Sequence, residues 1–436
     1  MSERIPAARW SSEPMRRRLR RRHLVERRFR RLGLAAVGVA LLALVTLLGS
    51  IVGNGWSAFL RSRIALEVFF DPEVIGPLAE VSPAQREARA SEVDWAALVR
   101  EALSRQFPDV SGRRDLRALV GLVSVGARSE LRSFVLADPA IVGRTQIVWV
   151  PAASDVDALV KGQLPRDAEA EGARLSAQEL GWIAALEERG RLTRSFDWSF
   201  LTSGDSREAE LAGVGGAIAG SLFILLVTLA VAFPLGVAAA VYLEEFAPHN
   251  RWTDLIEVNI NNLAAVPSIV FGLLGLAVFL NAMALPRSAP IVGGLTLALM
   301  TLPTIIIAGR SAIQAVPPSI REAARGLGAS PLQVVGHHVL PLGLPGILTG
   351  TIIGMARALG ETAPLLMIGM VAFVVDVPRG FADAATALPV QIYLWADTPE
   401  RGFVEKVSGA IMVLLAFLIL MNGTAIWLRQ KFERRW

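Results

Sequence analysis

The chain has 436 residues, of which 53% are hydrophobic, with a mean hydropathy of +0.47 and a net charge of +5. That is too apolar for an ordinary soluble domain, and long enough for several membrane spans plus one domain outside the membrane. The absence of cysteine excludes disulfides and cysteine-ligated metal sites.

Residues 1–32 form a basic arm, with Arg16-Arg17-Arg18, Arg20-Arg21-Arg22, Arg27-Arg28 and Arg30-Arg31. Directly before a hydrophobic segment, such an arm reads as a cytoplasmic anchor touching anionic lipid rather than as a nucleic-acid site. Residues 33–53 are apolar and uncharged, about the twenty that a span needs. The run is too long for a signal-peptide core and lacks a small-residue cleavage site, so it is expected to be a retained span. Residues 54–211 are charged and mixed, with helix-like stretches at 91–104 and 177–189. A strand-like run, Gln146-Ile147-Val148-Trp149-Val150, precedes Pro151 and a helix start at Ser154. The expectation is a small extracytoplasmic domain, α+β or mainly helical, that contacts a partner. It shows no metal-ligand cluster, nucleophile elbow or phosphate loop.

Residues 212–436 read as five more helices. The spans are expected at 213–233, with Gly216 and Gly220 suited to close helix packing and a bend at Pro234; at 256–280, with Asn259, Asn261 and Asn262 turned to protein or water; at 291–308, kinked at Pro303; at 346–373; and at 407–428. Arg429, Lys431, Arg434 and Arg435 anchor the C-terminus on the cytoplasmic side. Six spans put both termini on that side, together with the loop 310–345.

That loop is an ordered amphipathic element. Ser319 and Glu322 have capping-box spacing, and Ile320, Ala323, Ala324 and Leu327 make one apolar stripe. Gly328 suits a helix stop, Ser330-Pro331 with Gln333 a second start, and Val339-Leu340-Pro341 an end. In the fifth span Arg357 and Glu361, at i and i+4, share a helix face and can pair. A charge in lipid is costly, so the pair either lines the path of an anion, with Glu361 tuning Arg357, or locks helix to helix. Ser268 and Thr362 offer further donors.

Glu322-Ala323-Ala324, Gly328 and Leu340-Pro341 resemble the EAA loop of ABC importer permeases, departing from its usual apolar residue at His338. That loop docks on a partner ATPase. Three further motifs resemble the PstA-type phosphate permeases: Pro267-Ser268-Ile269-Val270-Phe271-Gly272; Arg357-Ala358-Leu359-Gly360-Glu361-Thr362-Ala363-Pro364-Leu365; and Leu388-Pro389-Val390-Gln391-Ile392-Tyr393-Leu394-Trp395-Ala396. The resemblance covers residues 213 to the C-terminus. The arm and large loop match an extended form of that permease. It implies an all-α membrane protein, a six-helix ABC importer permease bundle of the MetI-like kind, in the bacterial cytoplasmic membrane. It also implies a PstC-like permease subunit, a PstB-like ATPase dimer and a PstS-like phosphate-binding protein as partners, with phosphate as substrate.

The chain has no Gly-x-x-x-x-Gly-Lys-Ser/Thr loop, so no cofactor is expected on it, and ATP and Mg belong to the partner ATPase. Adjacent His337 and His338 diverge by about 100° on a helix and cannot share a metal. No nucleophile–base pair suggests an enzyme. Two alternatives stay open at this point: a permease for another oxyanion such as molybdate or sulfate, and a membrane receptor sensing a ligand through residues 54–211.

Overall fold

The computed structural model describes residues 13–76 and 82–432. It divides into two compact units, Met1–Asn54 and Gly55–Trp436. The first is a single helix, α1 (Glu13–Gly55), with arginines in its first half and an apolar run in its second. Arg30 and Arg31 lie exposed along it, whereas Arg434 and Arg435 fall outside the described residues.

The second unit opens with an α+β domain. β1 (Leu60–Phe69) lies at the centre of an antiparallel sheet of order β2-β1-β3, with β2 (Thr145–Pro151) and β3 (Leu192–Phe196) at its sides. Ile64 faces Val150 in one neighbour and Leu192 in the other. Ile64, Leu66 and Val68 alternate along β1 and are buried, as a half-covered strand requires. The surrounding short helices are α2 (Pro72–Ile75), α3 (Pro83–Glu92), α4 (Trp95–Gln106), α5 (Arg113–Val120), α6 (Ala127–Ala137), α7 (Ser154–Val160), α8 (Ala177–Glu188) and α9 (Trp198–Thr202). They bury Leu98, Leu103, Leu131 and Ile183 against the sheet. The stretch expected as one helix over 91–104 is two. The chain turns at Val93, and the Asp94 carboxylate caps α4 by accepting from the Ala97 amide at 3.2 Å.

The remaining chain is a helical bundle built from α10 (Gly215–Val241), α11 (Arg251–Ala264), α12 (Ser268–Gly275), α13 (Pro290–Gln314), α14 (Pro318–Gly326), α15 (Pro331–Val334), α16 (Leu340–Gly360), α17 (Ala363–Met367), α18 (Leu388–Ala396) and α19 (Gly402–Phe432). Among the described residues five helical stretches are long and apolar enough to cross a membrane: Arg17–Phe59, Gly215–Phe246, Pro290–Gln314, Pro331–Gly360 and Gly402–Lys431. α10 and α13 form the main seam, where small residues let the backbones approach. A Cβ on Gly294 would lie 2.4 Å from the Cβ of Val227. Gly220 serves a different purpose from the helix packing expected of it. It faces the carbonyl of Thr386, 2.0 Å from where its Cβ would be, so it accommodates a loop.

Several boundaries differ from the sequence reading. The span expected at 256–280 is a pair, Arg251–Ala264 and Ser268–Ala282, bent by 100°. Pro267 disfavours helical backbone at Val266, and the chain restarts at Ser268. Asn259, Asn261 and Asn262 are exposed within this chain. The helix expected at 346–373 begins before Gly346 and ends at Gly360; Glu361 is extended, and Ala363 starts the separate α17, with Pro364 in its first turn. Pro303 lies inside α13, which continues to Gln314.

The loop also differs in detail. α14 starts at Pro318, where proline suits the first turn, so Ser319 is already inside the helix and no side-chain cap forms. Ala324 is buried and Ile320 partly so, but Ala323 and Leu327 point outward. The Ser330–Gln333 capping box does form. Leu340-Pro341 ends nothing: the chain passes through a wide turn at Val335–Val339 directly into α16. Pro341, in the first turn of that helix, lacks the donor that a tighter turn would use.

Candidate functional site

The loop after α13 is fixed by charge. The Arg321 guanidinium donates to Glu245 Oε1 from Nε (2.9 Å) and Nη2 (2.7 Å), and to the carbonyls of Ile313 (2.9 Å) and Val316 (2.6 Å). Arg310 bridges Glu244 (3.3 Å) and Glu257 (2.6 Å), and Gln314 donates to Glu244. Beneath these pairs Ala240, Ile313, Val316, Ala324, Val334 and Val339 form a small core. The loop is thereby locked to the ends of α10 and α13, and α13 in turn to α11.

Its outward surface is mixed, and two large apolar side chains stand out on it. Leu327 is 91% exposed and Leu332 73%. Glu322 is exposed beside them, and Gly328 holds φ +87, a backbone state that favours glycine. Leu340 and Pro341 are half-buried at the loop's junction with α16. Leu327 and Leu332 as a pair of outward knobs, and the acidic clamp on Arg321, escaped the sequence reading. The signal was the Glu244-Glu245 doublet closing an apolar run, with Arg321 off the stripe.

The intramembrane motifs meet. α12 packs on α17 so closely that a Cβ on Gly272 would lie 2.7 Å from the Pro364 Cα. The first and second motifs are therefore two sides of one contact. Arg357 Nε lies 3.4 Å from Glu361 Oε1, with Arg357 about half exposed at 49% and Glu361 at 20%. Because Glu361 lies past the end of α16, the pair spans a helix end rather than a helix face. Thr362 stands at the N-cap of α17 and Ser268 opens α12. Among the described residues no hydrogen bond joins Ser268 or the Thr362 hydroxyl to the ion pair. The third motif is anchored elsewhere: the Leu388 amide donates to Ser221 Oγ (2.8 Å), and Trp395 Nε1 to Asp205 (2.9 Å).

A second polar centre, unforeseen from sequence, ties the α+β domain to the start of α19. Lys161 Nζ sits 2.6 Å from both Asp157 Oδ2 and Glu405 Oε1. Glu405 also accepts from Ser57 Oγ (2.7 Å) and Gln163 Nε2 (2.6 Å). Next to it Asp197 faces Arg61 Nη2 at 3.1 Å and Lys406 Nζ at 3.6 Å. The Arg61 contact is an ion pair whose angle falls short of a hydrogen bond. All six charged groups are buried, three of each sign, so the centre is neutral as a whole. On the same face Ser124 donates to Glu210, whose carboxyl burial pushes above its ordinary range.

The α+β domain joins α10 at Gly215, while the clamped loop meets α10's far end beyond Val241. The two lie at opposite ends of a 27-residue helix, a separation of about 40 Å at 1.5 Å per residue.

Comparison with known proteins adds the following. Residues 232–436 match the family described as "Binding-protein-dependent transport system inner membrane component", and residues 16–170 match a "Domain of unknown function (DUF3333)". The chain is 31% identical over 254 residues to the phosphate transport system permease protein PstA 1 of Mycobacterium tuberculosis, covering 58% of this chain and 83% of that one. It is 36% identical over 247 residues to the probable ABC transporter permease protein YqgI of Bacillus subtilis, covering 53% and 82%. Among solved structures, an inward-facing MetNI methionine ABC transporter aligns with 51% of this chain and 98% of its own, at 18% identity and a TM-score of 0.40.

Proposed function

This chain belongs to the binding-protein-dependent transport inner membrane components, among the PstA-type permeases, and we propose that it moves inorganic phosphate inward as one permease subunit of an ATP-driven importer. The observation that carries the reading is the loop locked at one end of the bundle by Arg321 and Glu245, with Leu327 and Leu332 turned outward. A rigid base carrying exposed apolar knobs suits transmission of force from a docked protein. On this reading the docked protein is a PstB-like ATPase dimer that binds ATP and Mg, and the loop and both termini are cytoplasmic. A PstC-like subunit completes the pathway, and a PstS-like protein delivers phosphate on the side of the α+β domain. Arg357 supplies positive charge to the dehydrated anion, Glu361 orients it, and Thr362 and Ser268 add donors. This subunit carries no step of ATP hydrolysis.

The reading is tested at the loop. Replacing Leu327 with Asp puts a charge where an apolar knob docks, a change worth about 2 kcal/mol or more and so roughly thirtyfold in affinity. Recovery of the ATPase with the purified chain is expected to fall accordingly, and ATP-dependent phosphate uptake with it. The melting temperature should be unchanged, because Leu327 touches almost nothing within the chain. Full ATPase recovery with normal uptake would remove the loop from the coupling path.

A further inference from the structure

The α+β domain holds a pocket of about 420 Å³ lined by Glu67, Ala102, Arg105, Gln106, Thr145, Arg189 and Arg191. It lies where α4 ends beside β1 and β2 and the turn from α8 into β3 returns. Three guanidinium groups converge there. Arg105 lies over the Phe69 ring and Arg189 over the Phe107 ring, each 5.5 Å from the centroid, so both are held in place by aromatic faces. Arg105 pairs with Glu101, and Arg191 with Glu67 at 3.4 Å. Among the described residues Arg189 has no carboxylate partner, and donates only to the Gln106 carbonyl at 3.2 Å. Three arginines against two carboxylates leave one positive charge over.

Gln106 narrows the choice of ligand. Both its amide atoms, Nε2 and Oε1, are buried without a hydrogen-bond partner. A buried amide left unmade is costly, and such groups in folded proteins find partners. One atom is a donor and the other an acceptor, whichever way the amide is turned. A ligand that satisfies both must accept and donate. Hydrogen phosphate does so through its oxyanion edge and its P–OH, whereas sulfate carries no proton at neutral pH. Arginine forks suit the same tetrahedral oxygens.

We propose that this pocket binds a protonated tetrahedral oxyanion, inorganic phosphate, as a ligand site separate from the helical bundle. A lipid head group is disfavoured by position. β1 meets the base of α19 at Arg61, and Glu67 lies six residues further along, about 20 Å away at strand rise. The site stands on the pocket alone, and does not depend on which oxyanion crosses the bundle. Glu67 acts as its gate, since a carboxylate on Arg191 competes with the incoming anion.

The test is equilibrium binding of radiolabelled inorganic phosphate to the full chain in nanodiscs of zwitterionic lipid at low salt. Saturable binding is expected, with sulfate a weaker competitor than unlabelled phosphate. The double variant Arg189→Gln, Arg191→Gln should weaken it by about tenfold or more, the loss of charge-assisted hydrogen bonds. Glu67→Gln should tighten it severalfold, which a merely structural ion pair would not do, and Gln106→Leu should erase the preference over sulfate. Arg357→Ala should leave this binding intact, which separates the pocket from the transport path. Absence of saturable binding to the unaltered chain, or a Glu67→Gln variant that binds no better, would overturn the proposal. Loss of association with phosphatidylglycerol vesicles in the double arginine variant would assign the pocket to a lipid and overturn it equally.

Discussion

Replacing Asp197 with Ala is expected to destabilise the second unit by about 3–5 kcal/mol, the usual cost of removing one partner from a buried ion pair. Asp197 is almost wholly buried and is the carboxylate nearest to both Arg61 and Lys406. Without it two cations remain in a site from which water is excluded, with Lys161 and its own partners alongside. For a unit of this size the loss corresponds to a fall in melting temperature of roughly 4–6 °C. Thermal unfolding of the purified protein in lipid nanodiscs reads it directly. The triple variant Asp197→Ala, Arg61→Met, Lys406→Met removes the orphaned charges as well, and should recover much of the loss. An unchanged melting temperature in Asp197→Ala would mean that water reaches the site and the charges are solvated. The centre joins β1 and α7 to the base of α19, so the same variant should also loosen the α+β domain, seen as faster amide exchange in β1.

Arg357→Ala is expected to lower phosphate uptake by roughly a hundredfold, which is about the 2.5–3.5 kcal/mol that a charge costs at the centre of a membrane. The barrier rises because an anion stripped of water loses its countercharge in an apolar surround. Folding should be little affected. Arg357 is half exposed within this chain, and its side-chain pairing there is the single 3.4 Å contact with Glu361. Arg357→Lys keeps the charge but loses the planar fork, and should retain intermediate activity. If Arg357→Ala and Glu361→Gln instead lowered the melting temperature equally while uptake per folded molecule stayed normal, the pair would be a helix lock.

The spans were legible because apolar length and flanking charge are one-dimensional properties. The stretches at 291–308 and 407–428 lie wholly within helices of the structure, and that at 213–233 does so from Gly215 onward. Two breaks were hidden by the same criterion. Hydropathy runs on through Pro267 and Pro364, yet α11 ends at Ala264, short of the Val266 that Pro267 restricts, and α16 ends at Gly360, whose carbonyl the amide-less Pro364 cannot serve. In the loop, periodicity placed Leu327 on a buried stripe, but α14 is too short to bury both ends and leaves it in the open.

Each of the motifs ending in Gly272 and Leu365 was legible singly, but their contact through Gly272 and Pro364 was not. The ionic centre was invisible for a related reason. Ser57 and Glu405 are 348 residues apart, and nothing local marks Lys406 or Asp197 as buried. The arginine pocket likewise draws on β1, α4, β2 and the α8–β3 turn, which only the fold brings together.

Phosphate transport is read most plainly as uptake of radiolabelled phosphate into proteoliposomes. These would contain this chain, its partner permease subunit and the ATPase, with the binding protein added on the side of the α+β domain and ATP on the side of the loop. Accumulation is expected to require ATP, to be lost in Arg357→Ala, and to be outcompeted by unlabelled phosphate but not by equal molybdate or sulfate. Equal competition by molybdate or sulfate, or accumulation that continues without ATP, would overturn ATP-driven phosphate import.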